Sequence, residues 1–403
     1  MKTPATVNEL SGGSTFRKTL ADLFRNNVRE YGMLIALIAV MVFFQFQTNG
    51  VLMKPVNITN LVLQNSYVIV MAMGMLLIII TGGIDLSVGS VVAVIGALAG
   101  VLIVRYHFNW ALVVLICLLL GALIGAFHGY FVAYQKIPAF IVTLAGMLIF
   151  RGLTIALLRG ESVGPFPRGF QNISSGFIPD FFHYEGLHIT TLLIGVLLSI
   201  LIVWLDVRAR RNQRKYGFEV APFFFFVAKN IGITAVVMGF SWLMASYKGL
   251  PNVLVLLFVL ISFFSFITSS SVIGRRIYAM GGNEKAARLS GVNTRRLLFY
   301  TFINMGVLAS TAGLIVAARL NSATPNAGDG MELDVIAACF IGGASPMGGV
   351  GKVIGALVGA FLIGVLNNGM SILGVGIDWQ KVVKGIVLLL AVLFDVYNKT
   401  KNA

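Results

Sequence analysis

The sequence predicts an all-α polytopic membrane protein of about twelve transmembrane helices. Three observations carry that prediction. Of 403 residues, 58% are hydrophobic, 11% are charged and 45 are glycine, a balance foreign to soluble globular domains. Apolar residues arrive in runs of about 16 to 23, the length that crosses a hydrocarbon core as a helix. With water excluded there, each segment has to satisfy its own backbone groups, which favours helices over open strands. The basic residues also gather on one side of the resulting layout, so the net charge of +15 is a matter of topology and calls for no nucleic acid.

In chain order, the first 30 residues are polar and carry Lys2, Arg17, Lys18, Arg25 and Arg29. They read as an inner tail: the apolar stretch starts too late for a cleavable signal and no small-residue cleavage site follows it. Spans are expected at 33–48, 58–80, 88–104, 110–133, 139–158, 188–206, 231–247, 252–270, 298–318, 331–345, 353–374 and 380–396. With the N-terminus inside, the outer loops carry Lys54, Arg105, Arg159, Arg168, Lys248 and Arg319. The strong clusters, Arg208, Arg210, Arg211, Arg214 and Lys215, then Arg275, Arg276, Arg295 and Arg296, all fall inside. Removing one span before residue 275 would place a cluster outside. Cys117 and Cys339 both lie within apolar runs, which argues against a disulfide scaffold.

The outer loop over 159–187 is the long one. Its glycines and prolines exclude a continuous helix, and Phe166, Phe170, Phe177, Phe181 and Phe182 suit packing at the membrane surface or a docking face. An internal echo links the two ends of the chain. Residues 121–127 (GALIGAF) recur as 355–361 (GALVGAF), each within a ladder of glycines four apart that lets helix backbones approach in lipid. The first copy runs inward and the second outward, and the same offset maps spans 2 to 5 onto 9 to 12. That is the pattern of inverted repeats in transporters.

Residues 81–90 (TGGIDLSVGS) interrupt two apolar runs. Asp85 and Ser87 suit the capping of the next helix, or contact with a solute. Residues 330–335 (GMELDV) again open a helix with acids, and 342–351 (GGASPMGGVG) break the chain before the next span. Irregular backbone at membrane depth belongs inside protein or along a cavity. Residues 281–293 (GGNEKAARLSGVN) form a polar, basic island with the chemistry of a short helix. Asn283 suits its N-cap, Glu284 the positive dipole end, Arg288 the negative end, and Gly291 a left-handed stop. So few helical residues need bracing by neighbours or a partner.

The segments 81–90, 281–293, 332–338 (ELDVIAA) and 367–370 (NNGM), in this order, resemble the signature segments of one family. It is the membrane permease of bacterial ATP-binding-cassette importers for monosaccharides, the ribose, xylose and multiple-sugar group. The similarity covers roughly 30–396, and the added basic loop and hydrophobic pair over 207–270 resemble the xylose or multiple-sugar branch. The resemblance implies a type II importer-like core of ten helices plus two extra. It divides the chain into a cytoplasmic tail (1–30), a transmembrane permease domain (31–397) with repeats at 58–158 and 298–396 around a cytoplasmic coupling loop (274–296), and a second tail (398–403). It also implies a bacterial inner-membrane location with both termini cytoplasmic. The implied partners are a cytoplasmic ATPase, a periplasmic sugar-binding protein and a second permease copy. Gly282, Asn283, Glu284, Ala286, Ala287, Arg288, Leu289, Ser290 and Gly291 would then dock on the ATPase. No cofactor is expected on this chain; ATP and Mg would sit on the partner ATPase.

The residues themselves agree that no nucleotide is hydrolysed here, since Gly351 and Lys352 are followed by Val353 and no phosphate loop is complete. The basic charges of the island suit an acidic partner surface or anionic headgroups. For the solute pathway, polar residues on spans are the candidates: Gln64, Asn65, His128, Asn304, Asn367 and Asn368, together with Asp85 and Ser87. Interhelical hydrogen bonding is the plainer use of each. Arg151 suits a structural ion pair with a carboxylate, Asp378, Lys381 and Lys384 suit the membrane interface, and Phe223 to Phe226 suit lipid-facing packing. The alternatives are an ion-gradient-driven secondary transporter, for which intramembrane carboxylates are too few, and a passive channel, which leaves the basic island unexplained. Motifs for a membrane enzyme are absent from the sequence.

Overall fold

The computed structural model describes residues 28–182, 184, 186–218, 220 and 222–402; the tail expected before position 28 lies outside the described residues. Each expected span contains a helix. α1 covers Val28–Gln47, α2 Pro55–Ile80, α3 Val88–Gly100 with a π turn to Arg105, α4 Trp110–Ala133 and α5 Ala139–Leu158. After a single helical turn at Arg168–Gln171 follow α6 (Ile189–Lys215), α7 (Phe223–Ala245), α8 (Asn252–Ser270) and two short helices, α9 (Val272–Gly282) and α10 (Glu284–Leu289). α11 (Thr294–Leu320), α12 (Met331–Ile341), α13 (Val353–Ile372) and α14 (Ile377–Asn402) complete the described chain. Helix therefore continues into the stretch expected as a C-terminal tail.

Local chemistry sets the boundaries. Pro55 occupies the first turn of α2, and Pro138, Pro222 and Pro251 immediately precede α5, α7 and α8, where a missing N–H leaves no ladder bond unmade. Asn109 caps α4 by accepting from Ala111 N at 2.8 Å. Arg159 and Asn321 end α5 and α11 in the left-handed conformation.

α2, α3, α11 and α13 are buried along most of their length, with α4 to α8 arranged outside them. Small residues bring the backbones together. Gly121 and Gly125 of α4 lie against Gly306 and Phe302 of α11, and a methyl on any of these glycines would overlap a backbone oxygen. Gly355 and Gly359 of α13 use the same device against Gly342 and Ala338 at the end of α12. The two echoed segments thus share a packing role, but the first meets α11 of the distant half and the second meets its own neighbour α12. Cys117 and Cys339 are buried and unbridged.

The segment expected to cross at 331–345 differs from the expectation. α12 has 11 residues, about 16 Å of helix against a core of about 30 Å. Its start lies within the span: α3 and α11 run side by side, with Val92 on Gly313, Gly96 facing Ala317 and Gly100 facing Ala323. Gly89, one turn before Val92, packs directly on Gly328. Residues 321–330 therefore fold back about 15 Å below the end of α11 before α12 begins. Residues 81–87 do the equivalent before α3, so the N-termini of two helices meet inside the bundle. Composition reports that 331–345 is apolar and cannot report where in the membrane it starts.

The long outer loop lies over the ends of this core. Its backbone pairs with α11's exit through Val163 and Ala323 and with α8's entry through Phe177 and Pro251. Phe166 and Phe170 are buried and their rings lie 4.5 Å apart, whereas Phe181 and Phe182 are exposed as an interfacial loop requires. Asp180 accepts from Thr190 Oγ1, Thr190 N and Phe182 N, and these donors hold its carboxyl down at about 2.

Candidate functional site

Two regions gather the functional candidates, one around α9 and α10 where α2 ends and one among α2, α11, α12 and α13. In the first, the basic island folds as its chemistry dictates. Asn283 Oδ1 accepts from Ala286 N at 3.0 Å, and Gly291 is left-handed at φ +84°. Asn293 then caps α11 through Arg296 N at 3.0 Å. The bracing comes from within the chain: Thr294 Oγ1 donates to Glu284 Oε1 at 3.0 Å, and Ala287 is buried. Ala287 thus seats α10 from beneath and is not part of its outward face, a correction to its place among the docking residues. Gly282, Asn283, Glu284, Ala286, Arg288, Leu289, Ser290 and Gly291 are exposed.

Three chain segments meet directly behind α10. Gly281 packs against the Ile80 carbonyl at the end of α2, and Gly349 N donates to that same carbonyl at 2.8 Å. Tyr278 Oη donates to Gly351 O at 2.5 Å, tying α9 to the loop over 342–352, and burial raises the pKa of this phenol. Gly281 is required here, since a Cβ would run into Ile80 O, and Gly349 is also left-handed at φ +72°. Leu289, 89% exposed, and Met347, 85% exposed, are the two most exposed large apolar side chains among the described residues. Leu289 belongs to α10 and Met347 to the loop that packs behind it.

Between α2, α11, α12 and α13 lies a half-open cavity of about 220 Å³, with Gln64 and Leu320 exposed at its edge. Gln64, Asn65 and Asn367, three of the residues expected on a solute pathway, line it together with Tyr67, Arg319 and Met331. Asn367 Nδ2 donates to Asp334 Oδ2 at 3.3 Å, while its Oδ1 is buried without a partner. That leaves an acceptor for a hydroxyl donor. Asn65 also serves packing, donating to Ala360 O at 2.7 Å beside Gly364. Tyr67 and Arg319 were missed by sequence reasoning. The signal for Tyr67 was its position one turn from Gln64 on the same face of α2. Arg319 was counted as outer-loop charge although it belongs to the last turn of α11.

The remaining pathway candidates lie outside this cavity. Asn368 and Asn57 exchange amide hydrogen bonds at 2.9 and 3.1 Å. Asp85 Oδ1 accepts from Ser87 N and Ser87 Oγ at 2.8 and 2.6 Å, so Ser87 spends its hydroxyl on Asp85 instead of capping α3. His128 is buried against Gly146 and Phe150 between α4 and α5, and Asn304 sits on α11; His128 Nε2 and Asn304 Nδ2 have no partner. Arg151 donates to the carbonyls of Pro325 and Ala327 at 3.3 and 2.7 Å and so holds the fold-back before α12, with the Glu332 carboxylate within range of its charge. Lys384, expected at the membrane interface, instead pairs with Asp334 at 2.7 Å. Lys381 reaches Asp329 at 3.6 Å with both side chains exposed.

Comparison with known proteins agrees with this architecture. Residues 57–392 match the family described as branched-chain amino acid transport system / permease component. The chain is 39% identical over 392 residues to the xylose transport system permease protein XylH of Escherichia coli (strain K12), covering 97% of this chain and 96% of that one. It is 40% identical over 375 residues to XylH of Haemophilus influenzae, covering 93% and 98%. To the ribose import permease protein RbsC of Escherichia coli (strain K12) it is 38% identical over 339 residues, covering 84% and 85%. No solved structure matches the chain.

Proposed function

The chain belongs to the branched-chain amino acid transport system / permease component family, and from that membership we propose that it is the membrane subunit of an ATP-driven importer of a pentose-like monosaccharide. The observation that carries the reading is identity with xylose permeases along nearly the whole of both chains. The family description names amino acids, yet the relatives matched end to end are named for xylose and ribose, and the cavity is lined by neutral amides and a phenol beside one cation. Neutral amides in a small cavity suit hydroxyl groups better than an aliphatic side chain.

The transport role assigns this chain the pathway, with nucleotide chemistry on a separate ATPase. The partners that follow are that ATPase at the inner face, a solute-binding protein at the outer face and a second copy of this chain, in a bacterial inner membrane with both termini cytoplasmic. ATP and Mg belong to the ATPase. The exposed face of α10, with Leu289 and Met347, suits the docking surface. Force applied to α10 reaches Gly281 through α9, and Gly281 abuts Ile80, the last residue of the helix that carries Gln64, Asn65 and Tyr67. Coupling and cavity thus share one rigid element, α2.

The test is reconstitution of the chain with its ATPase and binding protein in liposomes, followed by uptake of labelled xylose, ribose and leucine. Xylose uptake that requires internal ATP is the expected result. Uptake driven by an ion gradient without the ATPase, or uptake of leucine alone, would replace the proposal.

A further inference from the structure

The hairpin of α6 and α7 packs on itself and leaves a groove of about 480 Å³ that no part of the described chain fills. Its lining is almost entirely apolar and runs along α7 from Phe226 to Met238, with Val203 of α6 on the opposite wall. From Phe226 to Met238 the groove follows α7 for about 18 Å, close to the depth of one leaflet.

The basic end of the groove is built differently. Arg210 lies over the Phe226 ring at 4.6 Å from its centroid and over Phe223 at 5.9 Å. Phe226 itself lines the groove, so the guanidinium stands at the groove's mouth. Arg214, one turn further on, shares this face of α6, while Arg208 and Lys215 lie over the Trp204 and Tyr216 rings. One turn inward, Asp206 Oδ2 accepts from Asn230 Nδ2 at 3.0 Å and Asp206 pairs with Lys229 at 2.9 Å. Asn230 also lines the groove; it is buried, and its Oδ1 has no hydrogen-bond partner. An apolar slot one leaflet deep thus opens onto a cluster of cations, with an unused acceptor just below them.

We propose that this groove is a binding site for an anionic phospholipid, its phosphate held by Arg210 and Arg214 and one acyl chain lying along α7. The phosphate answers the guanidinium donors, the acyl chain answers the apolar slot, and phosphatidylglycerol carries both with a net negative charge. A zwitterionic lipid meets the slot equally well but gains less from the cations. The occupant also fills a structural gap. α7 reaches the central bundle near its outer end, where Thr59 Oγ1 lies 3.6 Å from Met244 Sδ, while the groove lies toward its basic end. The lipid packs a hairpin that the rest of the chain leaves uncovered.

Native mass spectrometry of the full chain in neutral detergent tests this, with phosphatidylglycerol and phosphatidylcholine of identical acyl chains added separately. Phosphatidylglycerol is expected to be retained about tenfold over phosphatidylcholine, the scale of a few basic residues near an anionic group. Arg210→Gln with Arg214→Gln is expected to abolish that preference, and Thr234→Trp to reduce retention of both lipids by filling the slot. Arg210→Lys, which keeps the charge, is expected to keep most of the preference and separates loss of the site from loss of the fold. Equal retention of the two lipids, or an unchanged preference in the double variant, overturns the proposal. So does displacement by millimolar glycerol 3-phosphate, which would mark a soluble-phosphate site, or a dimer mass lost on Thr234→Trp, which would mark a protein interface.

Discussion

The carboxylate of Asp334 and the ammonium of Lys384 stand 2.7 Å apart, joining the first turn of the half-length α12 to α14 across 50 residues of sequence. Asp334 also profits from the positive end of the α12 dipole. Removing its cation leaves a carboxylate inside the bundle with only the Asn367 amide beside it. Lys384→Met is expected to destabilise the protein by about 2–3 kcal/mol, below the range of a fully buried pair because Lys384 retains 22% exposure. Asp334→Asn with Lys384→Met is expected to recover most of that loss. Thermal unfolding of the detergent-solubilised variants measures both; a double variant as unstable as the single one would deny the pairing.

Gly125 and Gly152 offer a matched pair on neighbouring helices. A methyl on Gly125 would overlap the Phe302 carbonyl, whereas nothing lies within 4 Å of a methyl on Gly152. Gly125→Ala is expected to cost about 3 kcal/mol, at the upper end for overpacking because backbone cannot rotate away. Gly152→Ala is expected to be neutral or slightly stabilising through helix propensity. Size-exclusion profiles after graded heating separate the two outcomes.

Arg288→Glu with Leu289→Glu alters only exposed side chains of α10. Co-purification of the ATPase is expected to fall at least about tenfold while the melting temperature stays unchanged. Thr294→Val, which removes the brace to Glu284, is expected to leave docking intact and lower transport per ATP hydrolysed. Parallel pull-down and uptake assays in proteoliposomes distinguish contact from transmission.

Asn367 and Asn368 are adjacent, and the geometry assigns them different work. Asn367→Leu removes the free acceptor of the cavity and is expected to slow uptake about tenfold, at a cost of about 1 kcal/mol for the long amide bond to Asp334. Asn368→Leu breaks the reciprocal pair with buried Asn57 and is expected to cost about 1–3 kcal/mol with less effect on uptake per folded molecule. Uptake kinetics and melting curves on the same preparations check the split.

That pair also marks how far the sequence could be read. Apolar run length located a helix in each expected span, though not α9, and the capping chemistry of Asn283 and Gly291 described α10, because both signals depend on residues close in sequence. The cavity depends on rotation: Asn367 and Asn368 differ by about 100° around α13, enough to turn one toward Met331 and the other toward Asn57. No local pattern reports that angle. The fold-back before α12 and the reach of Lys384 are equally illegible, since Gly89, Arg151 and Asp334 acquire their partners only after distant helices have packed. Ala287 was placed on the docking face for the same reason. A short helix shows which residues share a side and not which side is covered.

Where α9 meets the end of α2, the contact of Gly281 with Ile80 and the Gly349 N–H bond on the Ile80 carbonyl are both made of main chain. Long side chains in a mechanical train introduce backlash, because a rotamer can swing and absorb a small displacement before the next part moves. Here there is no rotamer to swing. In the proposed coupling such a joint would pass a shift of α10 to the end of α2 with little play, and a methyl group at Gly281, overlapping the Ile80 carbonyl, would jam it without touching either the ATPase or the solute.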